Sequence, residues 1–216
     1  MENKKVSKSV LKRLPGYLAY LKNMPENAPP HISATALANA LGMGEVQVRK
    51  DLAMVSDGGR PKIGYLRESL VDDIEQFLGY DNTTGAVLIG AGKLGQALMD
   101  YKGFDEYGLN IVAAFDIDPK SDRTEGGKPI YPMNRLAQFC RTHKVLMGII
   151  TVPAEHAQSV ADQLIAGGIK AIWNFAATHL EVPANILVQT ENMATSLAVL
   201  SVHLQAQIKE EKEAKK

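Results

Sequence analysis

Apolar residues recur at two different periods along this chain, and the change of period divides it. From Val6 to Leu21, the residues Val10, Leu11, Leu14, Leu18 and Leu21 return every three or four positions. That is the period of an amphipathic helix, with Pro15 marking a helix start or a kink. The stretch Asn23-Met24-Pro25-Glu26-Asn27-Ala28-Pro29-Pro30 ends it. Ser33, as N-cap, opens a second helix reaching Leu41, with Leu37 and Leu41 on one face. Gly42-Met43-Gly44 supplies a tight turn, and a third helix follows from Glu45 to Met54. Two short helices joined by three residues predict a helix-turn-helix. Glycine and proline between Ser56 and Leu66 forbid further helix and suit a small hairpin, which in a DNA-binding domain is a wing. Ser69 to Leu78 predicts another amphipathic helix through Leu70, Ile74, Phe77 and Leu78, and Gly79 to Gly85 reads as a linker.

Beyond residue 85 the period shortens. Ala86-Val87-Leu88-Ile89, Ile111 to Phe115, Val145 to Ile150 and Ala171-Ile172-Trp173 are short apolar runs separated by helical segments, which predicts a parallel sheet covered by helices. Asn192 to about Glu211 is helical through Leu197, Leu200, Leu204 and Ile208, and Lys209 to Lys216 form a charged end expected to fray. The predicted fold class is α/β. A winged-helix domain spans residues 1–80, a doubly wound Rossmann domain spans 85–190, and a C-terminal helix spans 191–212.

The composition, 45% hydrophobic and 22% charged, excludes disordered and collagen-like classes. The single cysteine, Cys140, has no partner for an internal disulfide, and on a predicted helix with Leu136 and Phe139 it suits a small apolar role. No segment approaches the roughly 18 apolar residues of a membrane span, and Met1-Glu2-Asn3-Lys4-Lys5 does not lead into a signal-peptide core. A reducing, cytoplasmic setting without a membrane partner is the expectation. The formal charge of zero conceals a polarity: residues 1–67 hold eleven Lys/Arg against five Asp/Glu, a net of +6, and the remainder carries −6.

The most informative string is Val87-Leu88-Ile89-Gly90-Ala91-Gly92-Lys93-Leu94-Gly95-Gln96-Ala97-Leu98, a strand, then G-x-G-x-x-G, then a helix. Gly90 permits the tight turn, Gly92 lets backbone N–H groups approach a pyrophosphate, and Gly95 lets helix and strand pack closely. Asp116 closes the next apolar run, 21 residues beyond Gly95, where a ribose-binding acid belongs. Such an acid repels a 2′-phosphate, so NAD(H) is the expected cofactor. No metal constellation is visible. Tyr101 with Lys102, His156, His179 and Cys140 stand as isolated candidates for proton transfer, without a Tyr-x-x-x-Lys spacing.

On the third helix Gln47, Arg49, Lys50 and Asp51 are polar, whereas Val46, Leu52 and Val55 suit a core. Such a helix fits the major groove, where Arg and Lys reach guanine edges or phosphates and Gln pairs with adenine. Arg60 and Lys62 add backbone or minor-groove contacts from the wing. Arg13, in the same basic segment, is counted with these DNA-facing residues. Three readings remain open on the residues alone: a DNA-binding regulator, a small NAD-dependent dehydrogenase with a helical accessory domain, and an NAD-binding module that touches no DNA.

In order, Arg13-Leu14-Pro15, Val48-Arg49-Lys50-Asp51-Leu52, the Ile89–Leu98 string, Ala114-Phe115-Asp116, Thr151-Val152-Pro153, Trp173-Asn174-Phe175 and Val182-Pro183 resemble the bacterial redox-sensing repressor family Rex, over nearly the whole chain. The resemblance implies a homodimer whose winged helices bind a palindromic operator, whose Rossmann domains bind NAD(H), and whose C-terminal helix is exchanged between subunits. It also implies that NADH disfavours DNA binding and that nothing is turned over, so no residue is catalytic. Carried over, Gly90, Ala91, Gly92, Lys93, Leu94 and Gly95 hold the pyrophosphate and Asp116 the adenosine ribose. Thr151, Val152 and Pro153 line the pocket near the nicotinamide. Tyr101 and Arg13 match residues that link the DNA domain to the cofactor's redox state. Their usual acidic partner falls here at Asn192, which carries no charge, with Glu191 beside it. The string Ala53-Met54-Val55-Ser56-Asp57-Gly58-Gly59 also departs from the aromatic one common there.

Overall fold

A computed structural model of the chain describes residues 7–81 and 84–213. Val6, the linker residues Asn82 and Thr83, and Ala214 to Lys216 of the charged end lie outside the described residues. The chain divides into two compact units, Met1–Asn82 and Thr83–Lys216.

In the first unit, helix α1 (Lys8–Lys22) is capped by Ser7 and carries Pro15 in its interior. Helix α2 (Ala34–Leu41) begins where the Ser33 hydroxyl accepts from the Ala36 amide at 3.0 Å and ends at Gly42 in the left-handed region, φ 63°. Helix α3 (Glu45–Val55) follows after three residues, Gly42 to Gly44, and α4 (Arg67–Leu78) closes the unit. Leu14, Tyr17, Leu37, Val48, Leu52, Leu70 and Ile74 are fully buried between them.

Two expectations are corrected here. The segment Ser56–Leu66 is not a two-stranded hairpin of its own. Arg60 and Gly64 exchange backbone hydrogen bonds at 2.9 Å across a tight turn. The strand that follows, β2 (Tyr65–Leu66), pairs instead with β1 (His31–Ile32), antiparallel and just before α2. Gly64, at φ 89°, makes this possible, since a Cβ there would lie 2.3 Å from the Ile32 carbonyl oxygen. On α3, Val46 is 63% exposed and Asp51 only 3%, the reverse of the expected assignment. With Val48 and Leu52 turned inward, the 100° step of a helix carries position 46 to the far side and position 51 into the inward arc.

Among the described residues the second unit holds six parallel strands: β3 (Thr84–Ile89), β4 (Leu109–Asp116), β5 (Ile130–Pro132), β6 (Met147–Ile150), β7 (Ala171–Asn174) and β8 (Leu187–Thr190). Their order across the sheet is β5-β4-β3-β6-β7-β8, a doubly wound arrangement whose direction of travel reverses between β3 and β6. Thr84 and Gly85, expected in the linker, already pair with Leu109 and Asn110. Helices α6 (Leu136–His143) and α7 (Ala154–Ala166) cover Val87, Ile89, Phe115 and Ile150 on one face, with Cys140 buried among them. Helix α5 (Lys93–Met99) covers Leu88, Ile111 and Ala114 on the other.

Helix α8 (Met193–Glu213) buries none of its residues; Met193, Leu197, Leu200 and Leu204 are all exposed. Asn192 stands at its start, its side-chain oxygen accepting from the Thr195 amide at 3.2 Å. Glu191 accepts from the Trp173 indole N–H at 2.9 Å. Among the described residues no helix is long and apolar enough to cross a membrane.

Candidate dinucleotide cleft and recognition helix

The cleft grows out of the point where β3 and β6 part. Gly90 leaves β3 at φ 100°, and a Cβ on it would lie 2.9 Å from Val152 Cγ1. A Cβ on Gly95 would lie 2.0 Å from the Gly90 carbonyl oxygen, so only glycine lets α5 close against the turn. The position where a Gly92 Cβ would stand has no heavy atom within 4 Å, and Gly92 faces the opening.

Side chains hold this turn in place. Thr151 donates its hydroxyl to Ile89 O at 3.0 Å and Gly90 O at 2.8 Å, joining the ends of β3 and β6. Gln96 donates to Ala91 O at 2.8 Å. Asp116 accepts from the Ala91 amide at 2.7 Å on one oxygen and from the Asp118 amide at 3.0 Å on the other. A carboxylate offers about four lone-pair sites, so each oxygen retains acceptor capacity for a ligand hydroxyl. Asp118 lines the smaller hollow beside Asp116 and is paired with Lys120.

Two hollows meet at Gly92 and Asp116, of about 380 and 290 Å³. The larger brings together Gly90, Gly92, Asp116, Thr151, Val152 and Pro153, and the smaller adds Ala91. Gly95 packs behind the turn, and Lys93 and Leu94 occupy the exposed first turn of α5 without lining either hollow. Tyr101 lines neither. It follows the C-terminal end of α5, the full length of that helix, about 10 Å, from Gly92. The residue is 55% exposed, and its ring rests edge-on against Phe104 at 4.9 Å.

Sequence reasoning missed Ile117, Met133, Ser159 and Gln163 as lining residues, and held His156 only as an isolated proton-transfer candidate. A usable signal existed for part of this set, because His156, Ser159 and Gln163 recur at helical spacing on α7, beside its buried stripe of Ala157, Val160, Ala161 and Leu164. Among the described residues, no group of three or more His, Cys, Asp or Glu is placed to hold a metal.

In the first unit Gln47, Arg49 and Lys50 are exposed on α3, with Arg49 paired to Glu45 one turn earlier. Arg60 and Lys62 are exposed on the tight turn, Lys62 at φ 66°. Arg13 is placed differently from the other cations. Its Nε and Nη2 donate to the two oxygens of Asp51 at 2.7 and 2.9 Å, and its side chain is 19% exposed. The buried Tyr17 hydroxyl donates to the same carboxylate at 2.8 Å. The hydrogen bond to Asp51 raises the Arg13 pKa, while burial, followed by the same carboxylate, pushes the Tyr17 phenol up to about 12. The guanidinium that was counted as DNA-facing is therefore committed to a link between α1 and α3.

A doubly wound sheet with this glycine turn, in one chain with a helix-turn-helix whose second helix exposes Gln, Arg and Lys, defines a DNA-binding regulator with a nucleotide-binding domain. A family model described as CoA binding domain matches residues 81–178, and one described as putative DNA-binding protein N-terminus matches residues 5–53. The redox-sensing transcriptional repressor Rex of Porphyromonas gingivalis is 41% identical over 197 residues, 91% of this chain and 90% of that one. The crystal structure of RSP in complex with β-NAD+ and operator DNA superposes with a TM-score of 0.87 at 33% identity, covering 97% of each chain. RSP in complex with β-NADH superposes at 0.86 and 32%, covering 97% of this chain and 99% of that one. The chain belongs to the Rex family of redox-sensing transcriptional repressors.

Proposed function

We propose that this chain is a cytoplasmic, homodimeric repressor that binds a palindromic operator when NADH is low and releases it when NADH occupies the cleft, without turning over a substrate. The observation that carries the reading is the pairing, in one chain, of an exposed basic recognition helix with a cleft whose carboxylate, Asp116, holds the glycine turn and keeps acceptor capacity for ribose hydroxyls. RSP, similar over 97% of this chain, is named as crystallised with β-NAD+ and operator DNA and also with β-NADH. On this reading the turn Gly90 to Gly95 holds the pyrophosphate and Thr151-Val152-Pro153 face the nicotinamide. Bound NAD(H) supplies a redox state to be read, and this chain's residues bind and orient it. Gln47, Arg49 and Lys50 enter the major groove, with Arg60 and Lys62 on the flanking backbone.

The exposed apolar side chains of α8 support the homodimer, since a second copy would remove them from water. Two-fold symmetry then dictates a palindromic site. NADH acts by favouring a state of the dimer with weaker operator affinity, and linkage requires a differential affinity for the two states. A mobility-shift titration with upstream duplexes tests this. Saturating NADH is expected to weaken binding by about tenfold or more relative to saturating NAD+. Equal affinity with either cofactor contradicts the reading.

A further inference from the structure

The guanidinium of Arg13 touches more than Asp51. The side-chain amide of Gln47 lies within hydrogen-bond distance of it, and an arginine has donors only, so the amide atom facing it must be the carbonyl oxygen. In that orientation Gln47 Oε1 accepts from Arg13 Nη1 at 3.0 Å and from Nη2 at 3.2 Å. Both lone pairs of the carbonyl are then spent on one guanidinium, which is itself fixed by the two Asp51 contacts at 2.7 and 2.9 Å. Only the NH2 group of Gln47 is left to face outward.

This changes what Gln47 can read. The pairing of glutamine with adenine needs both halves of the amide, the oxygen accepting from N6–H and the nitrogen donating to N7. With the oxygen withdrawn, adenine would present its N6 donor to another donor. Guanine presents two acceptors, O6 and N7, on the same edge. We propose that Arg13 is a positioning residue that sets the base preference of α3, by holding the Gln47 amide as a donor-only probe that selects guanine over adenine. The inference rests on the operator contact by α3 proposed above. Asp51 belongs to the device because it fixes the guanidinium, and Tyr17 because it fixes Asp51.

The test is binding-site selection with the full chain, NAD+ present, on a duplex library randomised over the half-sites. The informative base pair is the one whose preference disappears in Gln47→Ala, a change at an exposed position. The wild type is expected to favour guanine over adenine there by about fivefold, the value of roughly one hydrogen bond. The double variant Arg13→Met, Asp51→Asn removes the guanidinium without stranding a buried charge and leaves Tyr17 an acceptor. It frees the amide, and the preference at that base pair is expected to turn to adenine. A purely structural role for Arg13 would lower affinity for all sequences alike and leave the selected base unchanged. The inference is overturned if the wild type selects adenine at that position, if the folded double variant still selects guanine, or if Gln47→Ala alters no position. Should the double variant fail to fold, the wild-type preference alone decides. If the wild type selects no sequence at all, the operator-binding reading falls first, an outcome separable from adenine selection, which overturns only this inference.

Discussion

The two units build their sites from different materials. The cleft is shaped mainly by backbone: Gly90 and Gly95 matter for the atoms they lack, Gly92 leaves the opening clear, and Thr151, Gln96 and Asp116 hold main-chain groups still. The exposed face of α3 is made of side chains, Gln47, Arg49 and Lys50, with the Arg13–Asp51 pair beside them. A backbone-built site tolerates change in its side chains and almost none at its glycines. A side-chain-built site should respond to removal of the groups that orient its reading residues, even where those groups touch no ligand.

Substitutions in the two units should separate along that line. The largest effect is expected from Arg13→Ala, which leaves the buried Asp51 carboxylate with only Tyr17 and costs about 3 kcal/mol of stability; thermal unfolding checks it. Gly95→Ala places a Cβ against the Gly90 carbonyl and is expected to weaken NADH binding about 100-fold, roughly 2.7 kcal/mol. Cofactor titration would show this while operator binding survives and loses its response to NADH. Asp116→Ser should cost about tenfold in NADH affinity and narrow the gap to NADPH, since a carboxylate facing the 2′ position is gone; competition between the two cofactors measures it.

Tyr17→Phe should cost about 1 kcal/mol, one buried hydrogen bond. It should also alter the alkaline limb of the stability profile. The folded phenol holds its proton up to about 12, whereas an unfolded tyrosine releases it near 10. Stability from this group is thus complete below pH 10 and is lost as pH rises from 10 to 12. Denaturant unfolding across that window should show a smaller decline in the variant. Lys50→Ala should produce the smallest change, a uniform loss over operator sequences and a salt slope reduced by about 1.

The same contrast explains what the sequence made legible. The cleft was readable because its chemistry lies in a contiguous string, Gly90 to Gly95, and in one acid at fixed distance. Its remaining walls, Met133, Ile117 and the His156, Ser159 and Gln163 stripe, come from separate elements that only the sheet order brings together. The helix-turn-helix was readable from Ser33, Gly42 and the apolar period. The pairing of β1 with β2 was not, since each is two residues long and the pair spans more than thirty positions. Likewise β5 and β8, three and four residues long, are too short to announce themselves by period. Asp51 looked like a surface residue because polarity alone does not reveal that Arg13 and Tyr17, more than thirty residues away, converge on it.

The central claim is that cleft and recognition helix are thermodynamically coupled. Coupling is reciprocal: if NADH weakens operator binding by some factor, the operator must weaken NADH binding by that factor. The most direct test measures the NADH dissociation constant by titration with and without saturating operator duplex, at fixed salt, beside the operator constant with and without saturating NADH. Two equal factors of about tenfold or more are expected, both lost in Gly95→Ala. An NADH affinity that is the same with and without the operator would contradict the coupling.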